Sequence, residues 1–319
     1  MKVIVTGGNG FVGQHLLAAL EGHDVHVLCR KKHARSLIDI EALPHVTVHY
    51  ESDILDSQKI APHFKGADLC FNLAALVTFY LKDRERLHKT NYEGTLNVLK
   101  ACEEDSVRLI HIGSTAIYGF HRTAIDENTE FDWGKHGRLV YSRSKQLPIP
   151  ALLGSAADVV ILNPPVIVGA GDEKIAQLIK PIKNNFPFAT SGRNSVIDVR
   201  DLVSAMLLLM EKTEVKGSHI VTGGNYSFLE FNRCIAKVVG SRHPKIVLPK
   251  ILGKIMGPAV RVFERVMKNP KLPYEAFFLS FKDRVYDDSK IRNLGYVPEF
   301  TLEDSFRSAV GYLEDLGEN

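Results

Sequence analysis

No cysteine pair, no long apolar run and no excess of one charge marks this sequence, and each absence removes a class of protein. The four cysteines, Cys29, Cys70, Cys102 and Cys234, are scattered, with no C-x-x-C and no histidine at metal-ligand spacing. They read as small buried hydrophobes in a reducing compartment, and no metal site is expected. No apolar stretch reaches the roughly 18–20 residues of a membrane span. Basic and acidic side chains nearly cancel, 40 against 37, so the net charge of +3 gives no footprint for nucleic acid. The strand pattern opens at Lys2 and leaves no room for a signal peptide, which makes a cytoplasmic protein the expectation. Repeats and low-complexity segments are also missing.

What remains is a globular composition, 45% hydrophobic and 24% charged, in 319 residues, enough for one large domain or two modest ones. Strand patterns at 2–6, 24–29, 46–50, 68–73, 108–113 and 158–163 alternate with helical patterns near 11–20, 56–64, 84–104 and 141–153. Strand, helix, strand in succession implies right-handed crossovers and a parallel sheet covered on both faces. Beyond about residue 165 the rhythm becomes irregular, with helices near 173–184, 199–211, 228–240 and 250–268. The expected fold is α/β: a doubly wound parallel sheet of Rossmann type, with a smaller, mostly helical C-terminal substrate domain. Residues 1–165, completed by about 195–222, would form the dinucleotide domain, and 166–319 mainly the substrate-binding region.

The first strand runs into "TGGNGFVG", Thr6 to Gly13, and then a helix. Gly7, Gly10 and Gly13 fit one glycine register; Gly8, Gly10 and Gly13 fit another. Either lets backbone N–H groups approach a pyrophosphate at the helix N-terminus. Asn9, Phe11 and Val12 belong to the same turn. A carboxylate is expected about 20 residues on for a ribose 2′-hydroxyl, but Arg30, Lys31 and Lys32 stand there. A guanidinium pairs with a 2′-phosphate through two hydrogen bonds, so NADP(H) is favoured over NAD(H). Asp53, followed by Ile54, stands where a carboxylate could accept from an adenine amino group, although such an Asp is as often a turn former. Leu73, Ala74 and Ala75 supply small backbone after the fourth strand.

Ser114 leaves the fifth strand at the sheet's carboxyl edge, where doubly wound folds bind ligands. Tyr141 and Lys145 lie four apart and share a helical face. The ammonium, together with the positive charge of an oxidised nicotinamide, is expected to lower the phenol from its usual value of about 10 toward the working range. Ser114 would hydrogen-bond a substrate carbonyl, and Tyr141 would give or take its proton. Pro148 and Pro150 remove the bonds to the carbonyls of Ser144 and Gln146, which predicts a regular turn through Lys145 followed by a kink or opening.

The set "TGGNGFVG", "NLAA", "TNYEGTLNVL", "GSTAIYG", "YSRSK", "NPPVIVGAG", "IDVRDLVSAM" and "DDSKIRNLGYVP" resembles the extended short-chain dehydrogenases/reductases, the NAD(P)-dependent epimerase/dehydratase superfamily, in order along the whole chain. The resemblance implies an enzyme with a Ser114, Tyr141 and Lys145 triad, and often a dimer through a helix bundle. It also implies that Asn91 contacts the cofactor or supports the lysine, and that the stretch from Asn163, with Pro164 and Val166, passes the nicotinamide end.

Sugar-nucleotide epimerases of that family carry charged pairs for a substrate diphosphate where this chain has Asn194 and Ser195, and "AFFLSF" at 276–281. Arg193 or Arg284 could compensate. With Val77, Phe79, Tyr80, Phe120 and Trp133, the pattern is similar to dihydroflavonol reductase-like and 3β-hydroxysteroid dehydrogenase-like members. An oxidoreductase acting on a hydrophobic carbonyl or alcohol is therefore expected, with a sugar-nucleotide epimerase or dehydratase as the alternative and a non-catalytic NADP(H)-binding sensor as a third reading. The basic amphipathic stretch 250–268 is read as a packing helix, with a substrate lid or membrane-surface contact as the functional alternative, and Pro258 predicts a kink or break in it.

Overall fold

The computed structural model describes residues 1–32, 37–267 and 272–317. Its strands in chain order are β1 (Lys2–Thr6), β2 (Asp24–Leu28), β3 (Val46–His49), β4 (Leu69–Asn72), β5 (Arg108–Ile112), β6 (Val159–Asn163), β7 (Val166–Val168), β8 (Phe188–Thr190), β9 (Arg193–Asp198), β10 (Gly217–Ile220), β11 (Gly224–Ser227) and β12 (Ile246–Leu248). Seven form one parallel sheet in the order β10-β6-β5-β4-β1-β2-β3. Every residue of β4, β5 and β6 is buried, as a sheet covered on both faces requires. Alternate residues of β1 serve opposite cores. Val3 and Val5 join Leu16, Leu202 and Met206 on one face, while Ile4 joins Ile60, Phe64 and Val98 on the other.

β1 lies beside β4 on one flank and β2 on the other, so the chain order reverses there. In open sheets of this kind the crevice at that reversal is the ligand site. Along the carboxyl edge the connections follow as Ser114 after β5, residues 73–77 after β4, the glycine turn after β1, Arg30 after β2 and Asp53 after β3. From the end of β5 to the end of β2 is three strand spacings, about 14 Å.

One helix departs from the regular form expected of it, and another opens where its prolines predict. The helix through 84–104 is interrupted by a wider π turn, His88–Glu93, which carries Asn91. The helix bearing Tyr141 and Lys145 runs Val140–Gln146, and a second begins at Ile149, so the chain opens where Pro148 stands. The bond from Leu147 N–H to the Arg143 carbonyl (3.0 Å) survives before it, and the Pro148 carbonyl starts the next helix by accepting from Leu152 (3.0 Å).

Beyond β6 the helices Ala176–Lys183, Phe228–Val238 and Leu302–Asp315 enclose a third core around Phe231 and Phe306. Two small sheets, β11-β9-β7 and β12-β8, accompany them. The helix Lys250–Val266 is unbroken at Pro258, contrary to a break. Pro258 is exposed and so is Lys254, so water can solvate the carbonyl that loses its partner. Lys268, the last residue of that stretch, lies outside the described residues.

Candidate active site

Glycines of both registers are closely packed in the turn. Gly7 has φ +68°, and a Cβ there would lie 2.9 Å from the backbone of Ala74. A Cβ on Gly13 would sit 2.4 Å from the Gly8 carbonyl oxygen, so only glycine lets the helix Phe11–Ala19 start so close to β1. Gly8 packs on Val5 and Val27 beneath the turn. Gly10 caps the helix with no side-chain bond, and a Cβ on it would meet only the Gly7 oxygen, at 3.2 Å. The space in front of the first helical N–H groups is thus kept free of side chains, a cradle that fits a pyrophosphate.

The neighbouring connections are tied to this turn. Asn9 Nδ2 donates to the Lys31 carbonyl (2.8 Å), fixing the loop after β2. Arg30 is exposed, with Asp53 4.0 Å from its Nε. The Asp53 carboxylate also accepts from the Leu55 N–H (3.0 Å), the turn-forming role. Ile54 is buried under Gly94, while Val12 and Leu73 pack on the first core. Phe11 lies beside Gly171, Ala74 accepts no side chain between itself and Gly7, and Ala75 is exposed. The Pro164 carbonyl accepts from Thr115 N–H (3.0 Å), and Val166 pairs with Val196.

Ser114, Tyr141 and Lys145 are all buried, at 8%, 9% and 4% exposure. Ser114 N–H donates to Asn163 Oδ1 (3.1 Å), and its hydroxyl accepts from Ala116 N–H (3.2 Å). Asn163, at the end of β6, is further held through Nδ2 by Ser218 (2.8 Å) and Tyr118 (3.3 Å). Gly113 has no side chain because a Cβ would strike Asn163 Oδ1 at 2.2 Å. Asn91 clamps the loop after β4: Oδ1 accepts from Leu76 N–H (2.7 Å), and Nδ2 donates to the Leu76 carbonyl (3.0 Å) and to Ser144 Oγ (2.9 Å). Its side chain therefore positions the residue before Lys145.

Burial pushes the Tyr141 phenol up to about 12; a hydrogen bond with Ser114 opposes the rise and the Glu275 charge adds to it. The lowering expected from Lys145 is not met in the chain alone. Lys145 Nζ instead donates to the Ile112 carbonyl (2.8 Å), and burial brings its ammonium down to about 8. Beneath them Thr6 donates to Asn72 (2.6 Å), whose Nδ2 reaches His111 Nδ1 (3.0 Å). Burial and then the Lys145 charge hold His111 well below its ordinary value, so the imidazole is neutral.

Glu275 was not anticipated by the sequence reading. This carboxylate, 1% exposed on the helix Tyr274–Leu279, accepts from Tyr141 N–H (2.9 Å), Ser142 N–H (3.0 Å) and Ser142 Oγ (2.6 Å). It caps the first turn of the helix that carries the phenol. Burial pushes its carboxyl up to about 7, against those bonds and the Arg284 guanidinium. An acid standing alone in the aromatic run "PYEAFFLSF" was the available signal. The same helix brings Phe278 against Phe120 (5.6 Å), which also meets Phe131 (5.2 Å), while Phe79 stands edge-on to Tyr141 (5.0 Å). Trp133 joins through Phe131 (5.0 Å), whereas Val77 is exposed at 42%.

A glycine cradle at the point of reversal, with a buried serine, tyrosine and lysine beside it, defines a dinucleotide-dependent enzyme of the short-chain dehydrogenase/reductase kind. A family model described as the NAD dependent epimerase/dehydratase family matches residues 3–223, and the chain belongs to that family. It is similar to the sterol demethylase protein B of Methylococcus capsulatus, 26% identical with 99% of each chain covered. It is also similar to a 3-beta-hydroxysteroid dehydrogenase of Mycolicibacterium neoaurum, 24% identical over 99% of this chain and 92% of that one. The fold matches the UDP-glucuronic acid 4-epimerase of Bacillus cereus, solved in complex with NAD, at TM-score 0.74 and 21% identity, covering 99% of both.

Proposed function

We propose that the protein is an NADP(H)-dependent oxidoreductase that interconverts a carbonyl and an alcohol on a hydrophobic small molecule. The observation that carries this reading is the aromatic wall beside the triad, Phe79 on the Tyr141 ring and Phe120, Phe131 and Phe278 beyond it. Apolar surface of that kind binds apolar substrate by excluding water, and the cation beside it, the Lys282 ammonium, lies over the Phe120 (4.6 Å) and Phe278 (4.5 Å) rings. The residues that would hold the dinucleotide are the turn Gly7 to Gly13, with Asn91 and Lys145 at the reacting end and Arg30 and Lys31 at the ribose phosphate. When bound, the nicotinamide supplies or accepts hydride at the substrate carbon.

The chain's own part is proton handling. Ser114 donates a hydrogen bond to the substrate oxygen. Tyr141, kept protonated by its burial, gives its proton to that oxygen as an alcohol forms. Lys145, one turn along the same face, supplies the positive charge that stabilises the phenolate left behind. The carboxyl of Glu275 holds the first turn of the helix in place.

The preference for NADP(H) is supported by the absence of a carboxylate at the end of β2, where the exposed Arg30, with Asp53 4.0 Å from its Nε, and Lys31 could meet a phosphate. A second reading, a sugar-nucleotide epimerase or dehydratase, has two cations in its favour, Lys282 on the aromatic wall and Arg284 behind it. Arg284 is enclosed, and its Nε has no partner among the described residues. Burial holds its guanidinium below the ordinary value, and the nearby Tyr286 and Glu275 oppose that only in part. The test is NADPH oxidation over a panel of hydrophobic ketones and aldehydes, beside nucleotide-sugars followed by product formation, because epimerisation and dehydration return the cofactor unchanged. Turnover of ketones supports the reading, and turnover of nucleotide-sugars alone overturns it.

A further inference from the structure

The helix Lys250–Val266 turns its apolar side away from the protein. Ile251, Ile255, Val262 and Val266 recur at spacings of four, seven and four, one line on a helix, and are 55%, 65%, 63% and 77% exposed. The opposite side is committed to the body. Gly253 and Gly257 are buried, and a Cβ on Gly253 would strike the Phe281 ring at 2.6 Å. Glu264, the helix's one acid, is 8% exposed and points inward, accepting from the N–H groups of Leu81 (2.7 Å) and Tyr274 (2.8 Å). The helix is therefore seated correctly, and its exposed apolar line is no sign of a missing internal partner.

Charge selects the occupant of that face. Lys254, Arg261 and Arg265 lie along one flank of the apolar line, and no carboxylate of this helix is turned outward. A second copy of the same face would bring cations against cations with no acid of its own to pair them. An anionic lipid surface meets both features together, taking the apolar line below its headgroups and the cations at them.

We propose that the outer face of Lys250–Val266 docks the protein on an anionic lipid membrane. Docking would place the membrane next to the substrate side of the site. Glu264 holds Leu81, two residues from the Phe79 that contacts Tyr141, and Tyr274, the neighbour of Glu275. The docking proposal stands on the helix alone; only its use, delivery of a lipid-dissolved substrate, rests on the oxidoreductase reading.

The full chain is floated with vesicles of phosphatidylcholine alone and with about a third phosphatidylglycerol, at low and high salt. The expected result is at least roughly tenfold more protein on the anionic vesicles, reduced by salt, and lost in the double variant Ile255→Asp, Val262→Asp. Lys254→Glu with Arg265→Glu, which leaves the apolar line intact, should abolish the preference for anionic over neutral vesicles. Thermal melts establish that each variant is folded. Equal recovery on both vesicles, or binding unchanged in the folded Asp variant, overturns the proposal. So does a dimer in light scattering that the Asp variant disrupts while no vesicle binding occurs, which would assign the face to a second copy. Ketone reduction is measured separately, so a failure of the reductase reading would leave the flotation result standing.

Discussion

The two ends of the cleft follow opposite plans. At the proposed reacting end Ser114, Tyr141 and Lys145 are all below 10% exposure, and each is fixed by bonds to buried backbone or to Asn163 and Glu275. Three strands away, Arg30 and Lys31 stand in solvent, and the Arg30 side chain is 65% exposed with a single carboxylate at 4.0 Å. Burial shifts proton affinities by units and so sets chemistry, whereas an exposed cation contributes recognition without altering the fold. Changes at the first end should therefore cost rate and stability together, and changes at the second only cofactor choice.

The largest effect is expected from Tyr141→Phe. The ring and its contact with Phe79 remain, but the proton donor is gone, so kcat should fall by roughly 10²–10⁴ while cofactor affinity, read by fluorescence titration, holds. A fall in affinity equal to the fall in rate would break the division between the two ends.

Glu275→Gln comes next. One oxygen replaces two for three donors, and a loss of roughly 1–3 kcal/mol in denaturant stability is expected. The carboxyl's folded value, about 7, lies above its unfolded value, so its protonated form binds the fold more tightly. That contribution is complete below about pH 4.5 and is lost as pH rises through 7. The stability gap between wild type and Glu275→Gln should narrow across that window, and a constant gap would place the carboxyl outside the balance.

The smallest effect belongs to Arg30→Ala. A change of roughly tenfold in the ratio of NADP⁺ to NAD⁺ affinity is expected, with melting temperature unchanged. An unchanged ratio would remove the argument for NADP(H).

The same division decides what was legible in the sequence. β1, β4, β5 and β6 are buried on both faces, so they read as short continuous apolar runs bounded by turns. The glycine turn was legible because close backbone approach demands glycine itself. β10, "GSHI", was not, since its place comes from pairing with β6 at the sheet edge rather than from its own residues. β8 and β12, three residues each, are too short to show a period. The helix Leu302–Asp315 left a usable sign, the reciprocal cap of Thr301 and Asp304. Glu275 and Asn163 act through partners 45 or more residues away in sequence, and no local pattern announces such bonds. Burial of the phenol was not legible for the same reason: spacing put Lys145 nearby but not the enclosure that raises Tyr141 in the chain alone.

The most direct test of the central claim is the pH profile of NADPH oxidation with a hydrophobic ketone, wild type beside Tyr141→Phe. With Tyr141 protonated to about pH 12 and Lys145 losing its charge near 8, the wild-type rate should be level below pH 8 and decline above it, while the variant stays uniformly low. A profile of the same height and shape in both proteins would contradict the account.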